Sequence, residues 1–248
     1  MTEHVAVRDD AGVRTIRINR PEKKNALTLA MYHAMTAAVQ QANEREAIRC
    51  VLFAGGPDVY CAGNDITDFV KAGAGGLDRD ALRFLEALAR NQKPLVAAVN
   101  GAAIGVGTTM LLHCDHVVAG TDATFSTPFL KLALIPEAAS TLLAPMRMGH
   151  ARAFSLLAMG RPLSAADAKD AGVVNTIVDP AEAEAVAVAA AREIAALPPH
   201  ALAVTRRLMR GDVDPVLKRI EAESTHFAEL LQSDEARAAF QAFFARKK

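Results

Sequence analysis

Glu137 stands directly after Pro136 and before a run of small residues, in the stretch Thr124-Phe-Ser-Thr-Pro-Phe-Leu-Lys-Leu-Ala-Leu-Ile-Pro-Glu-Ala-Ala-Ser-Thr141. An isolated carboxylate at such a point is a candidate general base. A second stretch, Pro94-Leu-Val-Ala-Ala-Val-Asn-Gly-Ala-Ala-Ile-Gly-Val-Gly-Thr-Thr109, passes from an apolar run through a glycine-punctuated turn into a helix start. Free backbone N–H groups at such a start attract negative charge. Together, amide donors and one acid suit removal of a proton next to a carbonyl, with the oxygen's charge held by the amides.

Each feature also has a plainer reading. Glu137 could be a first-turn acid that complements a helix dipole. Gly101, Gly105 and Gly107 fit neither G-x-G-x-x-G nor a phosphate loop ending in Gly-Lys-Ser/Thr, and could simply form a tight turn against a sheet. Cys61-Ala-Gly-Asn-Asp65 is a second small-residue turn, in which Asp65 could be only a helix N-cap. His113 and His116 are spaced i, i+3 but span a helix-to-strand passage with no further ligand cluster, so their role reads as structural. Ser126 and Ser140 lack the Gly-x-Ser-x-Gly elbow of a nucleophile.

Composition narrows the classes. The chain has 248 residues, 51% hydrophobic and 23% charged, with 28 basic residues balancing 28 acidic ones. That suits a globular chain with a sizeable core and gives no footprint for nucleic acid. The N-terminus lacks the order of a signal peptide, and no apolar run has the roughly 18 residues of a membrane span. Cys50, Cys61 and Cys114 are widely spaced and odd in number, which reads as three buried, reduced thiols in a cytoplasmic protein. Abundant alanine without tryptophan suggests close helix packing.

The elements that must hold these residues alternate. Strands are expected at 3–9 and 13–19 around the turn Asp10-Ala11-Gly12, then a helix from the Thr28 cap to about Glu46. Strand 50–54, a helix from Asp65 to Ala72, a loose glycine loop at 71–76 and a helix from about Asp78 to Arg90 follow. Next come strand 95–99, helix 105–112, strands 115–119 and 124–126, helices 137–146 and 151–159, and strand 173–178. Helices fill 181–196, 200–209, 214–231 and 234–246. The pattern predicts an α/β core over residues 1–180 with a helical region over 181–248.

Taken together, the segments resemble the enoyl-CoA hydratase/isomerase (crotonase) superfamily over nearly the whole chain. The resemblance is carried by Asn19-Arg-Pro-Glu-Lys-Lys-Asn-Ala-Leu27, Cys61-Ala-Gly-Asn-Asp-Ile66, Val99-Asn-Gly-Ala-Ala-Ile-Gly-Val-Gly107, Thr124-Phe-Ser-Thr-Pro128, Ile135-Pro136 and the stretch 149–178. It implies a spiral of β-β-α turns with a C-terminal helical trimerisation region, and a homotrimer or dimer of trimers. It implies an oxyanion hole from the backbone N–H groups of Asn64 and Val106. Acyl-CoA would pass Lys24, Ala26, Ala62, Asp65, Ile66, Gly105, Thr109, Pro128, Phe129 and Pro136, with Lys23 or Lys24 near the phosphates. Phe243 and the basic tail match a C-terminal helix that often completes a neighbour's site. No metal or redox cofactor is implied, since CoA enters with the substrate, and neither a nucleic acid nor a membrane is a partner.

Departures from the family pattern choose among its reactions. Hydratases of the family carry two glutamates, where this chain has Thr109 and Phe129, and a glycine where it has Glu137. The pattern Thr-Pro-Phe…Pro-Glu-Ala-Ala-Ser is similar to Δ3,Δ2-enoyl-CoA isomerases of the peroxisomal type. The resulting expectation is an isomerase of fatty acyl-CoA in β-oxidation, with Glu137 as its base and a pKa raised by Phe129, Leu134 and Ile135. The alternatives are an enoyl-CoA hydratase, another crotonase-type acyl-CoA reaction such as thioester hydrolysis, and a non-enzymatic scaffold or RNA-binding role.

Overall fold

The computed structural model describes residues 2–67 and 79–245. Most of the helix expected at 65–72, the glycine loop at 71–76, Asp78 and the basic residues 246–248 lie outside them.

The chain opens with a hairpin. Strands β1 (Val5–Asp10) and β2 (Val13–Ile18) pair antiparallel. Ala11 (φ 48°) and Gly12 (φ 78°) between them are both left-handed, as a two-residue turn matched to strand twist requires. Helix α1 (Leu29–Glu44) follows, its first turn capped by the Thr28 hydroxyl, which accepts the Met31 N–H at 3.3 Å.

Three spiral turns then each place one strand in a large sheet and one in a small sheet. The first is β3 (Cys50–Ala54), β4 (Val59–Cys61) and helix α2 (Arg79–Arg90). The second is β5 (Leu95–Val99), β6 (Ala102–Ile104) and helix α3 (Val106–Thr109), which continues as a 3-10 turn over Met110–His113. The third is β7 (His116–Gly120) and β8 (Thr124–Ser126). The large sheet has the order β1-β2-β3-β5-β7-β10, closed by β10 (Thr176–Val178). The small sheet has the order β4-β6-β8-β9, closed by β9 (Leu163–Ser164). Within each sheet the spiral strands run parallel.

Helices α4 (Ser140–Met148), α5 (His150–Leu157) and α6 (Ala165–Asp170) lie between β8 and β10. Ser164 and Asp167 form a capping box at the start of α6. The last helices are α7 (Ala183–Ala196), α8 (Pro199–Arg210), α9 (Asp214–Leu231) and α10 (Asp234–Ala245).

The central strands β3 and β5 of the large sheet are buried on both faces, so they are continuously apolar. One face meets α1 and α2 in the main core, where Tyr32, Phe84 and Phe53 stack with centroid separations of 5.6 and 6.2 Å. The other face meets α7 through Ala183, Ala187, Ala191 and Ala195, a stripe at spacing i, i+4, against Val13, Leu52, Val96 and Val118. The methyl stripe lets the helix axis sit close to the strands, as the alanine content suggested. All three cysteines are free and buried, and burial pushes each thiol up to about 12.

Two short strands go beyond the expected elements, one of them inside the glycine-punctuated turn at 101–105 and the other ending where the turn at 61–65 begins. Val59–Cys61 and Ala102–Ile104 are three residues each, too short for an alternation to register. They are the strands that aim the site.

Candidate active site

Strands β4 and β6 are parallel neighbours, with Val59 opposite Ala102 and Cys61 opposite Ala103. Segments leaving their C-terminal ends therefore emerge side by side. Past β4 the chain runs Ala62-Gly63-Asn64, and past β6 it runs Gly105-Val106. Gly63 has φ 87°, and a Cβ there would lie 2.9 Å from the Ile104 carbonyl oxygen. A Cβ on Gly105 would lie 3.9 Å from the Gly63 Cα. The two glycines abut, and the residue after each is one of the two expected donors.

Among the described residues, neither donor amide is used by the surrounding ladders. Leu27 N–H donates to Gly63 O at 2.8 Å and Asp65 N–H donates to Leu27 O at 2.8 Å, so that pairing steps over the Asn64 N–H. Gly105 N–H donates to Ser126 O at 2.8 Å, and Gly105 O accepts from Thr108 and Thr109 at 2.9 Å each. Val106 stands first in α3, where an N–H has no partner in its own helix. Gly105 takes φ 57°, ψ −122°, a region only glycine enters without strain. Gly107 lets α3 press on β4, since a Cβ there would meet the Cys61 carbonyl oxygen at 2.7 Å.

Segment 20–27 is laced to this floor. Lys24 (φ 51°) and Asn25 (φ 57°) are left-handed. The Asn25 side chain accepts Arg20 N–H at 2.8 Å and donates to Val59 O at 2.8 Å. Arg20 pairs with Asp65 at 2.7 Å and donates to Ala26 O at 3.0 Å. Asp65 also caps the Thr67 N–H at 2.9 Å, so its carboxylate has structural partners at the pocket wall.

One cavity of about 750 Å³ collects these parts. Lys24, Ala26, Ala62, Asn64, Asp65, Ile66, Gly105, Val106, Pro128 and Phe129 all line it. Lys23 and Lys131 add exposed ammonium groups to the lining. Its apolar side includes Leu134, Phe227, Phe240 and Phe243. Residues Ala239–Phe244 belong to α10 of the same chain. Phe243 therefore lines the cavity of its own chain, where the resemblance led to a neighbour's.

Glu137, Thr109 and Pro136 are buried and are not part of the cavity lining. Thr109 is three residues after Val106 on α3, on the same face and about 4.5 Å along the axis. Its hydroxyl donates to Glu137 Oε1 at 2.6 Å. The carboxyl group is thus carried within one helical turn of a lining amide. Tyr32 is a buried phenol that donates to the Asn64 side-chain oxygen, and the Glu137 charge adds to the rise of its pKa that burial causes.

Glu137 is not in a helix. Helix α4, expected from Glu137, begins at Ser140. Ala138 (φ 65°) and Ala139 (φ 54°) between them are left-handed, each at a cost of about 1–2 kcal/mol for an L-residue. The helix-dipole reading of Glu137 therefore fails. Burial pushes the Glu137 carboxyl up to about 7, the Thr109 hydrogen bond opposes that rise, and the Glu223 carboxylate adds to it. The shift has the direction expected from sequence, with burial as its largest cause. His113 is buried, with Nε2 bonded to Ala138 O at 2.8 Å.

Sequence reasoning missed Tyr32 and Glu223. Tyr32 falls among Met31, Met35 and Val39, so its spacing reads as core. Glu223 left a usable signal, because it is an acid on the buried stripe Ile220, Glu223, Phe227 of α9.

Comparisons with known proteins give the family and the fold. The family model described as enoyl-CoA hydratase/isomerase matches residues 8–248. The chain is 34% identical over 251 residues to enoyl-CoA delta isomerase 2 of Rattus norvegicus, covering 98% of this chain and 64% of that relative. It thus spans less than two thirds of that protein. It is 30% identical over 243 residues to a probable enoyl-CoA hydratase of Rhodobacter capsulatus, covering 95% of this chain and 93% of the relative. The crystal structure of an enoyl-CoA hydratase/isomerase from Pseudoalteromonas atlantica superposes with a TM-score of 0.94 at 38% identity, covering 98% of both chains.

Proposed function

Since the chain belongs to the enoyl-CoA hydratase/isomerase family, we propose that it moves the double bond of a 3-enoyl-CoA to the 2-position, with Glu137 as the only acid-base group. The observation that carries this reading is the Thr109–Glu137 hydrogen bond of 2.6 Å. One position where hydratases of the family have an acid holds a hydroxyl that orients a different acid. The other holds Phe129, 6% exposed, which keeps water from the wall of the site.

In this reading the thioester oxygen lies between the N–H groups of Asn64 and Val106. Oε1 of Glu137 is occupied by Thr109, which leaves Oε2 to take a proton from C2. Electrons of the C2–H bond form a C1–C2 double bond and the thioester oxygen becomes an oxyanion. Loss of one amide donor to such an oxygen costs about 3–4 kcal/mol of transition-state stabilisation. The carboxylic acid then returns the proton to C4 as the double bond settles between C2 and C3. A carboxyl with a pKa of about 7 suits both halves, since it accepts and releases a proton near neutrality. The net reaction moves a proton and exchanges no electrons with a partner, so no redox cofactor takes part; in this reading the two amides take the oxyanion charge in place of a metal, and CoA arrives with the substrate.

A second reading, hydration of a 2-enoyl-CoA, is supported by the likeness to the Rhodobacter protein. An assay with trans-3-hexenoyl-CoA and with crotonyl-CoA separates the two. Migration faster than hydration upholds the isomerase. Hydration faster than migration replaces it. The same proposal includes a homotrimer or dimer of trimers, for which the exposed Met146, Leu208 and Met209 offer apolar surface.

A further inference from the structure

Glu137 is followed by two left-handed alanines, and a pair of that kind persists only where its surroundings hold it. Two buried polar side chains from elsewhere in the chain do so. Glu223, on α9, accepts the Ala139 N–H on Oε2 at 2.6 Å. Its Oε1 accepts the Thr141 N–H at 3.0 Å and the Thr141 hydroxyl at 2.6 Å. Arg219, one turn earlier on α9, donates to the same hydroxyl at 3.0 Å. His113, after α3, meets the Ala138 carbonyl at 2.8 Å. A carbonyl only accepts, so the His113 proton is on Nε2. Burial pushes His113 down to about 4, which keeps the ring neutral and that tautomer in place.

We infer that Glu223 is a positioning residue for Glu137: with His113 it clamps the Ala138–Ala139 turn, so the C-terminal helix α9 sets where the base points. This rests on the reading of Glu137 as the base. Glu223 is 4% exposed, and both oxygens are spent on the segment that follows Glu137. A carboxylate at this place on an otherwise apolar stripe has no hydrophobic reason to be there. Its charge also reaches Glu137 and favours the protonated acid. Among the described residues, the other groups that interact with Glu137 are Thr109 on α3, by its hydrogen bond, and Tyr32 on α1 and Cys61 on β4, electrostatically. The phenol and thiol are neutral because burial pushes both well up. Arg219 is the cation that acts on Glu223. Among the described residues, Glu223 is therefore a charged neighbour whose removal changes both the direction and the proton affinity of the base.

The experiment uses the full chain with Glu223→Gln, Glu223→Asp and, as a control on the exposed face of the same helix, Glu221→Gln. Two readouts are taken: isomerisation of trans-3-hexenoyl-CoA across pH, and titration of the Glu137 carboxyl by 13C NMR, assigned with Glu137→Gln. With Glu223→Gln, kcat should fall by about 10²-fold, the loss typical of a misplaced catalytic group, with KM unchanged. The Glu137 titration should move below its wild-type value of about 7. Glu223→Asp keeps the charge and shortens the reach, so kcat should fall while the titration stays near wild type. This variant carries the test if Glu223→Gln does not fold. Glu221→Gln should match wild type in both readouts. A lowered melting temperature with kcat and the Glu137 titration both unchanged would make Glu223 only a cap of α4 and overturn the inference. If wild type does not isomerise the substrate, the functional reading falls, and the NMR titration alone decides the clamp.

Discussion

Thr109 and Glu137 share one hydrogen bond, from Thr109 Oγ1 to Glu137 Oε1 at 2.6 Å, between side chains that are 0% and 2% exposed. A donor on the ionised oxygen favours the charged form, so this bond works against the burial that raises the carboxyl. Thr109→Val keeps the side-chain shape and removes the donor. The Glu137 pKa should then rise above about 7. The rate depends on the ionised base, so the acid limb of the pH–kcat profile should move to higher pH, with activity lost at neutrality and largely regained in alkali. An unmoved limb would show that the hydroxyl does not act on the base.

Glu137→Gln removes the base with little change in volume. Isomerase kcat should fall by at least about 10²-fold while affinity for a non-reacting acyl-CoA persists. Turnover near wild type would reject Glu137 as the base.

The same variant has a signature in stability. A carboxyl raised from 4.5 to about 7 keeps its proton in the folded chain where the unfolded chain has lost it. Stability from this group is therefore greatest below 4.5 and is lost as pH rises through about 7. Glu137→Gln should be the more stable protein above that range, by up to on the order of 3 kcal/mol. The difference should vanish in acid. Melting curves at several pH values check both the sign and the window.

Gly107→Ala tests the scaffold of the oxyanion donors. The added methyl would lie 2.7 Å from Cys61 O and 2.8 Å from Cys61 Cβ, so α3 has to shift away from β4. Overpacking of this kind costs about 1–3 kcal/mol. Val106 moves with the helix, and a displacement near 1 Å costs about 10²-fold in rate. The expected result is a folded protein, by circular dichroism, with a lowered melting temperature and a large loss of kcat. Full activity would separate Val106 from the reaction.

The choice between isomerase and hydratase can be tested by exchange. Thr109→Glu with Phe129→Glu restores paired acids, and Glu137→Gly frees the space beside them. Weak hydration of crotonyl-CoA should appear and isomerisation should vanish, because the shared amide donors serve an enolate in both reactions. Loss of the Phe129 packing costs about 3–5 kcal/mol, so folding is measured first. A folded triple variant that still isomerises would contradict the assignment of roles.

The sequence by itself determined the α/β class, the hairpin at Ala11-Gly12, the Thr28 cap, strands Cys50–Ala54, Leu95–Val99 and Thr124–Ser126, and the helix Asp214–Leu231. Each is written in local periodicity or turn chemistry that needs no partner to be read. It also marked Asn64, Val106 and Phe129, which the fold gathers around one cavity. Tertiary structure alone decided the rest. Val59–Cys61 and Ala102–Ile104 become strands only because each borrows its hydrogen bonds from a neighbour in the small sheet. Glu137 leaves the helix its neighbours suggested because Glu223 and His113, distant in sequence, hold Ala138 and Ala139 in a conformation alanine does not choose alone. Its proton affinity is likewise a property of place. Burial, the Thr109 hydroxyl from α3 and the Glu223 carboxylate from α9 set it, and neither residue is adjacent to Glu137 in the chain.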